Sequence, residues 1–279
     1  MQKANREFMN HGRMPVLFVG HGSPLNSLED NHWSRSFRAL SGKFPKPTGI
    51  LAISAHWYVD GSFVTGNSKQ KTIHDFGGFP QALYKIQYPA LGNAELADQV
   101  CKLLSEYHTS ISFDWGLDHG TWSVLRWMYP KADVPVIQLS INQRLNVAQH
   151  LALARSLQPL RDLGVLIVGS GNIVHNLQDA FSQKRMGTFE VPDWAKRFDE
   201  TVLEVVERYQ TRSLLNLIST EDGRMSHPTL DHWLPLIYSY GAADEGETVI
   251  FPIEGFDWGS LSMRSIIFGN ERGGLNLEK

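Results

Sequence analysis

The sequence predicts an α/β protein that forms a single three-layer α/β/α domain with a largely parallel or mixed central sheet. Short, continuously apolar runs recur along the chain, and this pattern is typical of strands covered on both faces. Segments with helical periodicity separate the runs, so the strands need crossover connections, which produce parallel pairing. The 279 residues, 42% of them hydrophobic, are enough for one core of this size.

The predicted strands are short and apolar, and several end in glycine. They cover residues 14–20, 49–55, 134–141, 165–169 and 249–253. The clearest helix follows from Trp194, Phe198, Val202, Val205 and Tyr209, which recur every three or four residues between charged positions. A second helix begins near Val147 and ends around Pro159, and Gly164 supplies the stop before the next strand. A third surrounds Cys101, which we expect to be a buried helical thiol.

Two segments lack a clear period and are predicted to be long ordered loops. They are residues 65–83 and 115–122, both rich in glycine and aromatic residues. Long loops in compact domains are usually functional. We expect a flexible tail at residues 1–13, a catalytic domain at 14–270 and a second tail at 271–279.

Charge and targeting signals exclude several classes of partner. The net charge of −3 offers no long-range attraction for nucleic acid or for anionic lipid. The first thirteen residues lack the apolar stretch of a signal peptide, and no segment approaches the ~20 apolar residues of a membrane span. These features predict a cytoplasmic protein that acts on a small molecule, and they leave the oligomeric state open.

Histidines at strand ends are the strongest functional signal. His21 and His56 follow the first two predicted strands, and His175 follows the strand at 165–169. Ligands of open parallel sheets bind outside the carboxyl ends of the strands, so these three imidazoles are expected to meet at one edge. Neutral imidazole binds divalent transition metals and also carries protons near neutral pH. The pattern therefore indicates a metal centre with a histidine base beside it.

Two further histidines have supportive surroundings. His119 lies in the segment LDHG, and His232 is predicted to lie in the first turn of a helix that Thr229 caps. Asp118 and Asp231 precede them and are candidates to orient a histidine, although adjacent side chains often diverge. His74 is balanced between loop structure and a pocket wall. The other histidines are interpreted as structural or surface residues, because a lone histidine is more often hydrogen-bonded than catalytic.

Seven segments in order closely resemble the LigB-like class III extradiol dioxygenases, in particular the bacterial 4,5-DOPA extradiol dioxygenase group. They are FVGHGSP, SAHWY, TIHDFGGFPQALY, WGLDHGTW, VPVIQLSI, GSGNIVHNL and HPTLDHWLPLIY. The resemblance runs from about residue 14 to 269. It implies an enzyme that opens a catechol ring, such as that of L-DOPA, with O₂ to give a muconic semialdehyde.

The resemblance also implies roles for the histidines. It makes His21, His56 and His232 metal ligands, His175 the catalytic base, and His119 a second catalytic histidine that contacts substrate or oxygen. No separate organic cofactor is implied. Iron(II) is the metal expected for activity, but many relatives complete the site with a glutamate where this chain has His232. Three neutral histidines also suit zinc, which is therefore possible at the same site.

Three other functions use the same residues. A zinc hydrolase would activate a water on the histidines, and a non-catalytic protein would bind a metal and a small molecule without turnover. A tetrapyrrole metal chelatase also has an HGS segment after its first strand, but it has no place for AHW, DHG or GNIVHN. A histidine phosphatase is disfavoured because Gly20 stands where that motif needs an arginine.

Overall fold

A computed structural model describes residues 12–276, so most of the tail predicted at 1–13 lies outside the described residues. Strands β1 to β10 are, in chain order, Val16–Gly20, Gly49–Val59, Phe63–Thr65, Ser110–Ser112, Val136–Asn142, Val165–Gly171, Thr248–Ile253, Phe256–Asp257, Leu261–Ser262 and Ser265–Gly269. Helices α1 to α10 are His32–Leu40, Gln81–Tyr84, Ala94–Leu103, His119–Met128, Val147–Arg155, Leu177–Met186, Asp193–Glu207, Thr211–Leu217, Glu221–Ser226 and Leu234–Ala242.

The central sheet has eight strands in the order β4-β3-β5-β2-β6-β1-β10-β7. Its middle four strands, β5, β2, β6 and β1, pair in parallel. Antiparallel pairing joins β10 to β1 and to β7, and it joins β3 to β5. The predicted fold class, an α/β protein with a largely parallel or mixed sheet, is confirmed.

Helices cover both faces of the sheet because the side chains of its strands alternate. In β1, Val16 and Phe18 point to a core shared with α3, α5, α7 and α10. Leu17 and Val19 point to the opposite core, which includes residues of α1 and α4. All four side chains are fully buried. Burial of each such side chain contributes about 1.5–3 kcal/mol to folding, so both helical layers are needed.

The five predicted strands all occur, with ends shifted by a few residues. The edge strands β3 and β4 and the strand β10 were not predicted. They are short, and Ser265–Gly269 follows the previous strands after too few residues to suggest a new element. Leu275 is buried against the core, so the packed chain continues past residue 271.

Two local predictions are wrong. The segment 115–122 is a loop only to Asp118, because Asp118 accepts a hydrogen bond from Thr121 N and caps α4, which begins at His119. Thr229 does not cap a helix: α10 begins at Leu234, with Pro235 in its first turn. His232 therefore lies in the turn before α10.

Within residues 12–276, no helix combines the length and the apolarity that crossing a membrane requires.

Candidate active site

His21 lies at the carboxyl end of β1, between two glycines with different structural reasons. A Cβ on Gly20 would lie 2.7 Å from the backbone carbon of Met263, so the close approach of that backbone requires glycine. Gly22 has a φ of +61°, a conformation that glycine adopts without strain. Together they turn the chain so that the His21 imidazole, which is 1% exposed, lines the cavity at this edge.

The His21 imidazole has a defined tautomer. Ser170 Oγ lies 3.0 Å from His21 Nδ1 and donates its own proton to Gly120 O at 2.6 Å. The serine oxygen must then accept from Nδ1–H, because its single proton is already used. His21 Nε2 is left without a proton and faces His56 Nε2 at 3.1 Å.

His56 lies within β2, where the pairing with β5 shifts register between Ile53 and Tyr58. A shift of this kind re-aims side chains near active sites. His56 Nδ1 lies 3.1 Å from a carboxylate oxygen of Asp75. The negative charge of this carboxylate favours the proton on Nδ1, which leaves Nε2 unprotonated.

Gly120, at the start of α4, leaves room for His56. A Cβ there would lie 2.5 Å from Ser54 Oγ and 2.9 Å from His56 Cδ2. We expect Gly120→Ala to displace the His56 ring and to weaken metal binding by about 10- to 100-fold, as loss of a ligand's support typically does. Metal titration followed by isothermal calorimetry measures the change. Gly77→Ala is the control, because nothing lies within 4 Å of a Cβ there. Equal affinities in the two variants would contradict this steric role.

Asp75 contacts two histidines of the site and was not predicted as a site residue. Its Oδ1 accepts from His119 N at 2.8 Å, and its Oδ2 lies 2.8 Å from His119 Nδ1. Burial alone would raise the pKa of Asp75, but the hydrogen bond from His119 and the nearby imidazoles outweigh it and lower the pKa to about 2. An ionised Asp75 therefore fixes His119 with its proton on Nδ1.

His232 and His175 form the other side of the site. Their rings stack with centroids 3.4 Å apart and planes 4° from parallel. His232 Nδ1 hydrogen-bonds the carboxylate of Asp231, its neighbour in the chain. His232 Nε2 is buried and has no hydrogen-bond partner. Asp118, the other acidic candidate, instead pairs with Gln138 and does not orient His119.

Three imidazoles of this site fit a metal ion. One ligand nitrogen each from His21, His56 and His232 lie within 4.8 Å of one another. The unprotonated Nε2 atoms of His21 and His56, 3.1 Å apart, repel each other unless a cation lies between them. Two nitrogens bound about 2.1 Å from one ion lie about 3 Å apart when they are adjacent ligands. The unpartnered His232 Nε2 supplies a third donor.

Burial also suits these side chains to metal binding. It is the largest cause that lowers the pKa of His21, His56 and His232 well below the ordinary value, and neighbouring imidazoles lower these pKa values further. Only neutral imidazole has a lone pair for a metal. Burial likewise lowers the pKa of His175, although Asp231 opposes this effect.

All five predicted site residues line one cavity of about 210 Å³, together with Asp75. Its other walls are mostly apolar: Pro24, Phe76, Phe79, Leu177, Phe181, Trp258 and Leu261. The tryptophans beside the histidines in the sequence do not line it. Trp57 stacks on Trp115, and Trp122 and Trp233 are fully buried.

His74 belongs to the loop structure. Its Nε2 lies 3.0 Å from Ile86 O, and its ring packs edge-on against Trp122, so it does not line the cavity. Asp75, the next residue, does. One feature of the sequence could have indicated Asp75: it is an acidic residue beside a histidine in a long loop.

The fold and the site define a class of enzyme in which imidazoles able to hold a metal converge at the carboxyl edge of an α/β sheet, above an apolar cavity. Residues 8–255 match the family described as the catalytic LigB subunit of aromatic ring-opening dioxygenase. The chain belongs to this family, whose extradiol dioxygenases are metal-dependent.

Similar proteins agree on the reaction. The chain is 44% identical to a 4,5-DOPA dioxygenase extradiol of Escherichia coli (strain K12) over 94% of this chain and 97% of that one. It is 36% identical to a 4,5-DOPA dioxygenase extradiol of Beta vulgaris over 91% and 96% of the two chains. A crystal structure of an uncharacterized Escherichia coli K12 protein matches with a TM-score of 0.78 and 38% identity, over 92% of this chain and 100% of that one.

The protein is therefore an extradiol dioxygenase that opens a catechol ring with O₂, as the sequence predicted. The zinc hydrolase, the chelatase and the non-catalytic binding protein are not favoured.

Proposed function

We propose that the protein cleaves the ring of L-DOPA or a closely related catechol with iron(II) held by His21, His56 and His232, and that His175 and His119 are its catalytic histidines. The observation that carries this proposal is the convergence of the Nε2 atoms of His21 and His56 beside the orphaned, buried Nε2 of His232. Iron(II), when bound, would supply the redox chemistry that lets a catechol react with O₂.

Two carboxylates offset the charge of a metal held by neutral ligands. Asp75 pairs with His56 Nδ1, and Asp231 hydrogen-bonds His232 Nδ1. Carboxylates in this position orient ligating histidines and increase their basicity. The missing glutamate ligand thus has a counterpart in two charges behind the histidines, which stabilise a bound divalent cation. Among such cations we propose iron(II), because the reaction with O₂ needs a redox-active metal.

His175 is suited to move the substrate's hydroxyl proton. Its ring stacks on His232, so it lies beside the proposed ligands and lines the cavity. Because burial lowers its pKa, the imidazole is neutral at pH 7 and has a free lone pair. The Asp231 carboxylate favours the imidazolium once a proton arrives. His175 can therefore take a hydroxyl proton and return it when the ring opens.

His119 is held as a second proton-handling group. Asp75 keeps the His119 proton on Nδ1, which leaves Nε2 as a hydrogen-bond acceptor for a substrate hydroxyl. The apolar walls keep water from competing for these contacts and suit a flat aromatic ring. The similarity to the 4,5-DOPA dioxygenases of Escherichia coli and Beta vulgaris supports L-DOPA as the substrate.

The decisive experiment is anaerobic loading with iron(II), followed by O₂ uptake and product absorbance over a panel of catechols that includes L-DOPA. We expect one O₂ consumed per catechol and a yellow ring-opened product. The zinc-loaded protein is the control and should consume no O₂. Absence of uptake with every catechol, or hydrolytic activity of the zinc form, would overturn the proposal.

Asp75→Asn tests the support of the two histidines. Asparagine has one acceptor oxygen instead of two. Its NH₂ group must face either the Nδ1 atoms of His119 and His56 or the backbone N–H of His119, so at least one of these donors loses its acceptor. We expect kcat/KM and iron affinity each to fall by about 10- to 100-fold. Steady-state kinetics and chelator titration of the iron form measure these two losses, and ¹⁵N NMR of the zinc form reports the environment of the His119 ring. Asp114→Asn, an exposed carboxylate, is the control. Unchanged iron affinity together with unchanged His119 nitrogen shifts would disprove the supporting role of Asp75.

A further inference from the structure

The catechol cavity offers no partner for a charged substituent. Its lining contains no lysine or arginine, and its one carboxylate, Asp75, is occupied by His119 and His56. At about 210 Å³, the cavity holds a dihydroxylated ring, but apolar groups surround that ring. A charged side chain on the catechol must therefore extend beyond these walls, because leaving it there unpaired is costly.

A second cavity of about 290 Å³ lies on the other side of one wall. The two cavities share Ser23 and Trp258 in their linings. The second has charges of both signs, in Lys184, Asp257 and Glu29, and also contains Asn26. It therefore presents the polar groups that the catechol cavity lacks.

Trp258 lines both cavities, which adjoin at this residue. On the catechol side its ring packs against Phe181, with centroids 5.9 Å apart. On the polar side Lys184 Nζ lies 4.1 Å from the ring centroid. Its backbone has a φ of +49°, a strained value for a bulky residue, as is common at ligand sites.

The hairpin that carries Trp258 is tied to the catalytic segment. Strands β8 and β9 flank the turn, and Leu261 of β9 forms a bridge with His175. Ser260 Oγ also donates to Asn176 O at 3.0 Å. These contacts fix the position of Trp258 relative to the proposed base, His175. A residue that helps to select the substrate needs such a fixed position.

Two polar groups in the second cavity lack full partners. Asn26 is 4% exposed, and its Nδ2 has no hydrogen-bond partner. Asp257 lies in the same lining. Burial raises the pKa of its carboxyl, and the nearby Asn26 side chain and Lys184 cation lower it only in part, so a further cationic partner would stabilise its ionised form. A ligand with an ammonium and a carboxylate satisfies Asp257 through the first group and Lys184 and Asn26 through the second.

We infer that the cavity beyond Trp258 binds the zwitterionic α-amino-acid group of the substrate, with Lys184 and Asn26 facing the carboxylate and Asp257 facing the ammonium. This inference rests on the proposed function, because it assumes that the catechol ring occupies the histidine-lined cavity. It makes Lys184 and Asp257 specificity residues that take no part in ring opening.

Four catechols separate the two charges: L-DOPA, dopamine without the carboxylate, 3-(3,4-dihydroxyphenyl)propionate without the ammonium, and 4-methylcatechol without either. We expect Lys184→Met to raise KM about tenfold or more for the two catechols that carry a carboxylate, L-DOPA and the propionate. Asp257→Asn should raise KM by a similar factor for the two catechols that carry an ammonium, L-DOPA and dopamine. The KM for 4-methylcatechol should change far less than the KM for these charged catechols in both variants; Lys184→Met also removes the contact of Lys184 with Trp258, which acts on all four substrates alike. Lys184→Arg should restore the wild-type KM for L-DOPA and the propionate. Arg185→Met, on the same helix, is the control.

The panel distinguishes failure of this inference from failure of the proposed function. If the wild-type iron form opens none of the four catechols, the proposed function is wrong. If it opens 4-methylcatechol but both variants change all four substrates equally, or change none, the ring site stands and the zwitterion site is wrong.

Discussion

The His175→Ala variant should bind iron(II) at full stoichiometry and lose about 10²- to 10⁴-fold in kcat, the usual contribution of a positioned general base. The proposed ligands His21, His56 and His232 keep their own partners when His175 is removed, since those partners are Ser170, Asp75 and Asp231. The proton of the catechol hydroxyl, in contrast, loses its acceptor. Metal analysis and single-turnover kinetics on the same sample measure the two effects.

Two further variants separate chemistry from packing. The His175 ring stacks on His232, so alanine leaves a gap there, whereas His175→Gln keeps more of the contact but cannot act as the base. Turnover should be slow in His175→Ala and in His175→Gln. His150→Ala is the matched control, because His150 is also a buried histidine, hydrogen-bonded to Tyr238 Oη at 3.0 Å and outside the catechol cavity. It should lose stability but not turnover. Normal kcat in His175→Gln would rule out proton transfer by this residue.

The histidine positions were predictable because parallel strands place their carboxyl ends together. Strands β2, β6 and β1 are adjacent in the sheet. His56 lies in β2, and His175 and His21 follow β6 and β1. Their meeting therefore follows from the strand pattern alone. His119 is the first residue of α4 and His232 precedes α10, so neither follows a strand, and only the resemblance assigned them to the site.

The rest of the site depends on loops whose path has no period. Asp75 lies 44 residues before His119, and only the folded loop brings the two together. Trp258 lies on a two-stranded hairpin too short to predict, and Phe181 lies on a helix with a weak apolar pattern. The tryptophans next to the histidines lie outside the cavity. Neighbours along a strand point to opposite faces, so Trp57 packs on Trp115, away from the His56 cavity.

The choice of metal ligands has competitors that share residues. His56, Asp75 and His119 also bring ligand atoms within 4.8 Å of one another, as do His175, Asp231 and His232. In the first of these sets Asp75 already accepts a hydrogen bond from His119 and pairs with His56, and a metal there would displace both contacts. In the second, Asp231 is occupied by His232 Nδ1. The set His21, His56 and His232 needs no such exchange, because its Nε2 atoms are the ones without protons.

His21→Ala and His232→Ala should therefore lose iron(II) itself, with an affinity loss larger than the about 10- to 100-fold typical of an outer partner. His119→Ala should keep the metal and lose activity. Metal content after anaerobic dialysis against a graded chelator measures the difference, and thermal unfolding of the metal-free proteins controls for misfolding. Retention of iron by His21→Ala together with its loss from His119→Ala would move the metal to the set that contains Asp75. If His21→Ala and His232→Ala lose iron and His119→Ala keeps it, both His21 and His232 must be metal ligands. Their hydrogen-bond partners, Ser170 and Asp231, are unchanged in these variants and so cannot account for the loss.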